Sequence, residues 1–247
     1  MALPKLDVPT YEVTLPLSQK KIKYRPFTVK EQRNLLMAME SDETETIQQA
    51  VGDILHNCSL TDVDIDGLPI IDVEYYFLHL RAKSVGEIVD SRYKCNNVVD
   101  DKTCNNIMET KIDLMKVNVE KSTEVSPEIQ ITDKFTVKLR YPDFSSVKNV
   151  LKFSNVNELT FGVIAGSIEY IYDGEQYYYA SESTQEELME FVESLNQEQF
   201  AKIEEFFNNL PKLRQNIDMK CKKCGFEHHI TVEGLESFFD EHFAMIT

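Results

Sequence analysis

Two cysteines near the end of the chain carry the clearest chemistry in the sequence. Cys221 and Cys224 are separated by two residues, and Gly225 follows the second of them. This spacing lets a tight turn direct both sulfur atoms at one point, and glycine tolerates the positive φ that such a turn usually needs. The pattern is typical of a zinc knuckle, which supplies half of a tetrahedral zinc site.

A second pair of cysteines lies in the middle of the chain. Cys95 and Cys104 have eight residues between them, which is longer than the two to four that are usual in a zinc knuckle. The segments after the two pairs, 108–114 and 228–235, alternate in the way of a strand that leaves a hairpin. We therefore predict a split zinc ribbon, in which one structural zinc ion is bound at about 2.3 Å by Cys95, Cys104, Cys221 and Cys224.

Other interpretations of these thiols stay open, among them two unmetallated pairs or a disulfide. Five cysteines cannot all pair, and the chain opens without a secretory signal, so a reducing compartment is favoured. His228 or His229 could replace one thiolate. Neighbours on a strand point to opposite faces, so at most one of the two would reach the metal. Cys58 has no cysteine near it in the sequence and is expected to be a small buried hydrophobe.

Composition narrows the class of protein. The chain has 247 residues, of which 42% are hydrophobic and 28% are charged, which is ordinary globular usage and enough for one large core or two modest ones. A formal net charge of −16 argues against a broad contact with nucleic acid, because phosphate contacts need clustered Lys and Arg. The sequence has no run of about twenty apolar residues, so a soluble protein is expected. Its glycines are scattered, which disfavours a phosphate-binding loop.

An acidic stretch resembles the opening of a calcium-binding loop. Asp62, Asp64 and Asp66 alternate before Gly67, as the first ligands of such a loop do. The closing glutamate should stand at the twelfth position, which is Val73, so the match fails there. We expect an acidic turn that leads into a helix.

The remaining patterns predict an α+β fold. Segments 11–16 and 21–27 indicate a β-hairpin, and capping boxes at Thr28 and Thr184 each predict the start of a helix. Segment 117–126 is expected to be a surface connection, 135–142 an edge strand, and 157–168 a buried helix. The predicted architecture is a mixed sheet with a split zinc-ribbon-like knuckle region and a helical insertion.

The same patterns predict four segments along the chain. They are 1–85, an N-terminal hairpin plus helices; 86–142, the first cysteine knuckle and strands; 143–211, a helical region; and 212–247, the second knuckle and a C-terminal helix, which packs with 86–115. Adjacent aromatic residues at 206–207 and 238–239 cover a wider arc than one core-facing stripe needs. Either some of them are exposed for a partner, or the stripe is broad and buried on two sides.

Three blocks of sequence together carry a family resemblance. They are 24–31 with 35–41, then 76–87, then the second knuckle with 232–239. In this order they resemble the T4-type bacteriophage baseplate hub assembly proteins. The resemblance implies a protein of contractile-tail bacteriophages that is needed to build the central hub of the tail baseplate, as an assembly chaperone or catalyst rather than an enzyme. The long loop 96–103 is a departure that bears on the metal site.

The expected function follows from this resemblance and from the absence of a catalytic motif. The sequence has no G-x-S-x-G, H-E-x-x-H or phosphate loop, so we expect no enzyme. We expect a chaperone or hub subunit for virion assembly that binds phage baseplate hub proteins, in the host cytoplasm or in the virion tail baseplate. No nucleic acid, membrane or small-molecule substrate is expected as a partner. The alternative is a zinc-ribbon nucleic-acid-binding protein that uses Lys220, Lys222 and Lys223, and the net charge favours the first function.

Overall fold

The computed structural model describes residues 7–41, 43–120, 126–150 and 156–235. Within these ranges the chain forms α-helices and β-strands in alternating groups. The helices are α1 (Val29–Glu40), α2 (Thr44–Cys58), α3 (Ile70–Val85), α4 (Phe144–Val150), α5 (Val156–Gly166), α6 (Gln185–Glu193) and α7 (Gln197–Asn208), with 3₁₀ helices at Leu114–Lys116 and Ala180–Glu182. The strands are β1 (Tyr11–Thr14), β2 (Lys21–Tyr24), β3 (Ile88–Lys94), β4 (Val98–Val99), β5 (Lys102–Thr103), β6 (Ile107–Asp113), β7 (Asn118–Glu120), β8 (Glu128–Gln130), β9 (Thr136–Leu139), β10 (Ile168–Tyr172), β11 (Tyr177–Tyr179), β12 (Lys212–Lys220) and β13 (Glu227–Glu233).

The strands build several small sheets. A four-stranded sheet has the order β11-β10-β9-β8, a three-stranded sheet has the order β13-β12-β7, and the pairs β1-β2, β3-β6 and β4-β5 complete the set in the described ranges. The α+β class is confirmed. The predicted mixed sheet is wrong for the described strands, because every pair is antiparallel. Most partners are joined by a short hairpin connection, and such a connection permits only antiparallel pairing.

Local signals set the starts of two helices as predicted. At α1 the carboxylate of Glu31 accepts a hydrogen bond of 2.6 Å from the backbone N–H of Thr28. At α6 the carboxylate of Glu187 accepts one of 2.8 Å from the backbone N–H of Thr184. Arg25 also donates to Glu31 at 2.7 Å, and this hydrogen bond lowers the pKa of Glu31 to about 2. The start of α1 is therefore held by both a backbone donor and an ion pair.

The larger core is built around α3. This helix is buried on most of its circumference and packs with the β1–β2 hairpin, α2, the β3–β6 pair and α4. Leu213 and Ile217 of β12 and Val232 of β13 belong to the same core. The end of the chain therefore returns to complete the core that its first half begins. None of the helices in the described ranges is long and apolar enough to cross a membrane.

The second core lies between the four-stranded sheet and three helices. Apolar residues of the sheet and of α5, α6 and α7 pack together in this core. The sheet contributes Ile129 of β8 and Ile131 directly after it, with Val137, Leu139, Ile168 and Ile171, and the helices contribute Ile164, Leu188, Val192, Ile203 and Phe206. Phe206 is thus a core residue and Phe207 is half-buried. Residues 238–239 and the predicted C-terminal helix lie outside the described residues. The four predicted chain segments stay a prediction.

Three sequence predictions about strands are wrong. Segment 135–142 holds β9, which is an inner strand between β8 and β10. The predicted buried helix 157–168 ends at Gly166, and Ile168 already begins β10, whose apolar residues continue the apolar run of the helix. The predicted surface connection 117–126 contains β7, a strand with exposed Asn118 and Glu120 that pairs with β12, and residues 121–125 of it lie outside the described residues. In each case the deciding partner is distant along the chain, where a local pattern has no information.

Asp72 and His79 are buried polar residues of α3. The carboxylate of Asp72 accepts hydrogen bonds of 2.8 Å from the backbone N–H groups of Leu17 and Ser18, which ties the loop after β1 to α3. His79 is buried, and its Nε2 has no hydrogen-bond partner within the described structure. Burial, with a smaller contribution from the charge of Lys83, lowers the pKa of His79 to about 4. The imidazole is therefore neutral at neutral pH.

This buried imidazole predicts a loss of stability in mild acid. An unfolded histidine titrates near 6.5, so the contribution of His79 is fully present above that pH and is lost as the pH falls from 6.5 toward 4. Between pH 7 and pH 5 the free energy of unfolding should fall by about 2 kcal/mol on account of His79. Denaturant unfolding at both pH values should show this decrease in the parent protein and not in His79→Leu. His229→Leu, at an exposed position, serves as the control, and equal pH dependence in all three proteins would contradict the assignment.

Candidate metal centre

The first pair of cysteines is brought together by a small hairpin. Cys95 follows β3 and Cys104 precedes β6, and the residues between them fold back as the β4–β5 hairpin. The backbone N–H of Cys95 donates to Asn106 O at 2.8 Å, and that of Cys104 donates to Asn97 O at 2.8 Å. The long spacing between the two thiols is thus absorbed by a hairpin, and the loop 96–103 does not separate them in space.

The second pair lies in the turn between β12 and β13. The N–H of Cys221 donates to Phe226 O at 2.8 Å, and the N–H of Gly225 donates to Cys221 O at 2.9 Å. Gly225 has a φ of 74°, the left-handed conformation that glycine adopts without steric cost. The local role predicted for this glycine is confirmed.

The four thiols of the two pairs meet in one cluster, here called the cysteine cluster, which consists of Cys95, Cys104, Cys221 and Cys224. Their Sγ atoms all lie within 4.8 Å of one another. The closest approaches are 3.6 Å between Cys95 and Cys224 and 3.8 Å between Cys104 and Cys221. A tetrahedral ion with four sulfur ligands at about 2.3 Å would require sulfur separations of about 3.8 Å. The cluster therefore has a size that suits a four-coordinate metal.

The sulfur atoms are surrounded by hydrogen-bond donors. Asn97 Nδ2 lies 3.6 Å from Cys224 Sγ, and Asn106 Nδ2 lies 3.5 Å from Cys221 Sγ. Burial raises the pKa of Cys95 to about 12, whereas the backbone N–H of Cys224 is the main cause that lowers the pKa of Cys221, to about 6. Such donors stabilise the thiolate, the form in which cysteine binds metals. Sequence reasoning missed the two asparagines, although each stands within two residues of a cysteine.

All five cysteines are free thiols, and the sulfur separations in the cluster are far longer than the S–S bond of about 2.05 Å in a disulfide. Cys95, Cys104 and Cys221 are buried and Cys224 is half-buried. Met108, Tyr93 and Met219 pack around them. A buried set of thiols with an apolar surround is suited to holding a structural ion rather than to reacting with solutes.

The sequence was compared with known proteins. The family model described as T4 bacteriophage base plate protein matches residues 8–240, which is most of the chain. The chain belongs to this family. It is also similar to the "Baseplate hub assembly protein gp26" of Enterobacteria phage T4, with 22% identity over 231 residues that cover 93% of this chain and 98% of that protein. No solved structure matches the chain.

In this base plate family member, the two neighbouring histidines after the second knuckle point to opposite faces of β13. Nε2 of His228 lies 3.2 Å from Cys95 Sγ, and its ring makes an edge contact with Phe226 at 4.8 Å between centroids. His229 is exposed and pairs with Asp218. The prediction that at most one of the two reaches the cluster agrees with this geometry.

The two remaining candidate sites are separate from the cysteine cluster. Cys58 is buried beside Arg25, whose Nη1 lies 3.5 Å from its sulfur, and burial raises the pKa of this thiol to about 12. In the acidic stretch, Asp64 accepts the N–H of Gly67 at 3.2 Å, and Asp66 pairs with Lys148 at 3.4 Å. Among the described residues, the only group with metal-ligand geometry is the cysteine cluster.

The opposite faces of the two histidines give a matched pair of substitutions. His228→Ala removes a contact with a buried sulfur and the packing on Phe226, so it should lower the free energy of unfolding by about 1 kcal/mol. His229→Ala removes only an exposed contact with Asp218 and should change it by less than about 0.5 kcal/mol. Denaturant unfolding of the two variants beside the parent protein measures both values. Equal effects of the two substitutions would show that His228 does not support the cluster.

Proposed function

We propose that this chain is a phage baseplate hub assembly protein that binds other baseplate hub proteins and catalyses no reaction. The observation that carries the proposal is the end-to-end similarity to the T4 hub assembly protein, which covers 98% of that protein. The family match over residues 8–240 supports the same role. Since the similarity spans the whole length rather than one module, the relative's role in hub assembly transfers to the chain as a unit.

We further propose that the cysteine cluster holds one structural zinc ion. The four thiols belong to two hairpin regions that are far apart in the sequence, so the ion would clamp the middle of the chain to its second half. Sulfur separations of 3.6 and 3.8 Å and the donors from Asn97 and Asn106 support a site of four thiolates. Such an ion would contribute to folding and would leave no open position for a substrate.

The acidic character of the chain supports a protein partner over nucleic acid. The net charge is −16, and the small basic group near the second knuckle is partly engaged within the molecule. Lys220 pairs with Glu227 at 3.0 Å, and Lys223 donates to Cys104 O at 3.1 Å. We place the protein with the assembling hub in the host cytoplasm, where it acts as a chaperone of hub assembly, or in the virion tail baseplate as a subunit.

The zinc proposal predicts a metal content that depends on the cluster. Protein purified without chelator should carry about one zinc per chain, and Cys221→Ser should lose most of it and melt at a lower temperature, because a clamp between distant segments is lost. Cys58→Ser, a buried thiol outside the cluster, is the control and should keep the metal. Elemental analysis by mass spectrometry provides the measurement. Less than about 0.2 zinc per parent chain would rule out the four-thiolate site.

The hub proposal predicts specific protein partners. A tagged full-length chain, expressed during infection from its own promoter, should retain other baseplate hub proteins on an affinity column. Mass spectrometry of purified virions then separates the two roles, since a chaperone is absent from virions and a subunit is present. The phage's capsid protein is the control for nonspecific capture. Retention of nucleic acid without any baseplate protein would overturn the proposal.

A further inference from the structure

One face of the four-stranded sheet carries four tyrosines. Tyr170 lies opposite Tyr179, and Tyr172 lies opposite Tyr177, so the four side chains project from the same side of the sheet. Ile171, between the two tyrosines of β10, points to the other side and is buried in the second core. We call these four residues the tyrosine face. Tyr177 and Tyr179 are 52% and 46% exposed.

The rings of the tyrosine face form an ordered array. Centroids are 4.6 Å apart for Tyr172 and Tyr177, and 5.1 Å apart for Tyr170 and Tyr177. The hydroxyl of Tyr170 donates to Glu128 at 2.7 Å, and that of Tyr172 donates to a backbone carbonyl in the β10–β11 turn at 2.9 Å. Tyrosines that are ordered before binding lose little entropy on contact, which is why they are enriched at protein interfaces.

Two of these tyrosines, Tyr177 and Tyr179, lie on an open edge of the sheet. β11 is the end strand of its sheet in the described structure. The N–H of Asp173 donates to Gln176 O at 3.3 Å, so 173 and 176 form a hydrogen-bonded pair. By the alternation of antiparallel pairs, the N–H and C=O groups of Tyr177 and Tyr179 then point away from β10. Apart from a bond of 3.4 Å from Ser183 Oγ to Tyr179 O, this edge has no strand partner among the described residues and can pair with another strand.

The charge around the tyrosine face is mainly negative. Two acidic residues, Glu128 and Glu169, lie beside Tyr170 of this face, against the cation Lys138. Lys138 Nζ lies 5.5 Å from the ring centroid of Tyr170, and its charge is offset by Glu169 at 3.4 Å. A tyrosine ring of this face thus already accepts a cation. Within the described structure no cation covers the rings of Tyr177 and Tyr179.

We propose that β11 and the tyrosine face bind an extended segment of a partner protein that carries Lys or Arg. The segment would add to the sheet as a further strand beyond β11, and its alternate cationic side chains would stack on Tyr177 and Tyr179. The partner is the hub protein of the proposed function, on which this assignment rests. A second copy of this chain is a poorer occupant, because it would bring another acidic face against the first.

The contribution of the tyrosine rings is tested by measuring the binding of the full-length chain to each of the phage's other baseplate hub proteins. The dissociation constant of each complex is measured by calorimetry for the parent protein and the variants. Tyr177→Ala/Tyr179→Ala should weaken the hub complex at least about tenfold, as expected for central aromatic contacts. Tyr178→Ala is the matched control on the same strand, because its ring points to the opposite face, and it should stay within about threefold. Added salt should weaken the parent complex.

The strand-addition part is tested by comparing Tyr179→Pro with Tyr179→Ala. Both variants lack the ring, and only proline also lacks the outward N–H. Tyr179 has a φ of −82°, close to the value that proline adopts, and proline is tolerated on an edge strand. The proline variant should bind several-fold more weakly than the alanine variant, with an unchanged melting temperature as the check on folding. Tyr177→Arg places a repelling cation on the face and provides a second test should the double variant be unstable.

The outcomes separate the two levels of the proposal. If the parent chain binds none of the hub proteins, the proposed function fails and the segment assignment fails with it. If the parent binds a hub protein and the folded tyrosine variants bind it equally well, only the tyrosine face is excluded. Binding that salt does not weaken would exclude a basic segment, and equal binding by the proline and alanine variants would exclude strand addition. Self-association lost in the double variant would identify a second copy as the occupant instead.

Discussion

The return of β12 to the first half of the chain is the interaction on which the rest of the structure depends. β12 pairs with β7 across more than ninety intervening residues, and closing a loop of that length costs roughly 4 kcal/mol of chain entropy. Burial of Leu213 and Ile217 in the first core offsets this cost. Arg214 adds ion pairs with Glu233 and Glu120. The same return brings the second knuckle to the first and so assembles the cysteine cluster.

The intervening chain forms a second packed unit with its own core. Its sheet uses one face for packing against α5, α6 and α7, and the buried residues of this face are apolar. The opposite face does not contribute to this core and carries tyrosines, glutamates and a lysine. An antiparallel sheet can keep one face in water, and this permits a surface for a partner without loss of core packing. The proposed clamp and the proposed partner surface thus lie in different parts of the molecule.

This separation fits an assembly protein. A role in baseplate construction requires a stable body and at least one surface that recognises another protein, and it requires no reactive centre. The buried thiols and the donors around them serve the body. The ordered tyrosines, with an open strand edge beside them, have the composition and rigidity that interfaces favour. The acidic surroundings then bias the choice of partner, because like charges across an interface oppose binding.

The sequence by itself determined the features that depend on near neighbours. The capping glutamates of α1 and α6, the β1–β2 hairpin and the positive φ of Gly225 follow from contacts within a few residues, so local steric and hydrogen-bond rules suffice. The knuckle spacing identified Cys221 and Cys224 as a pair for the same reason. The prediction that His228 and His229 point to opposite faces followed from the two-residue period of a strand.

Only the tertiary structure decided the features that need a distant partner. It placed β9 inside a sheet, turned the end of the predicted 157–168 helix into β10, and made β7 a strand by pairing it with β12. It also brought Cys95 beside Cys224, since the return of β12 is a long-range event. Strand pairing and burial are set by what lies across the sheet or core, and these neighbours are far apart along the chain.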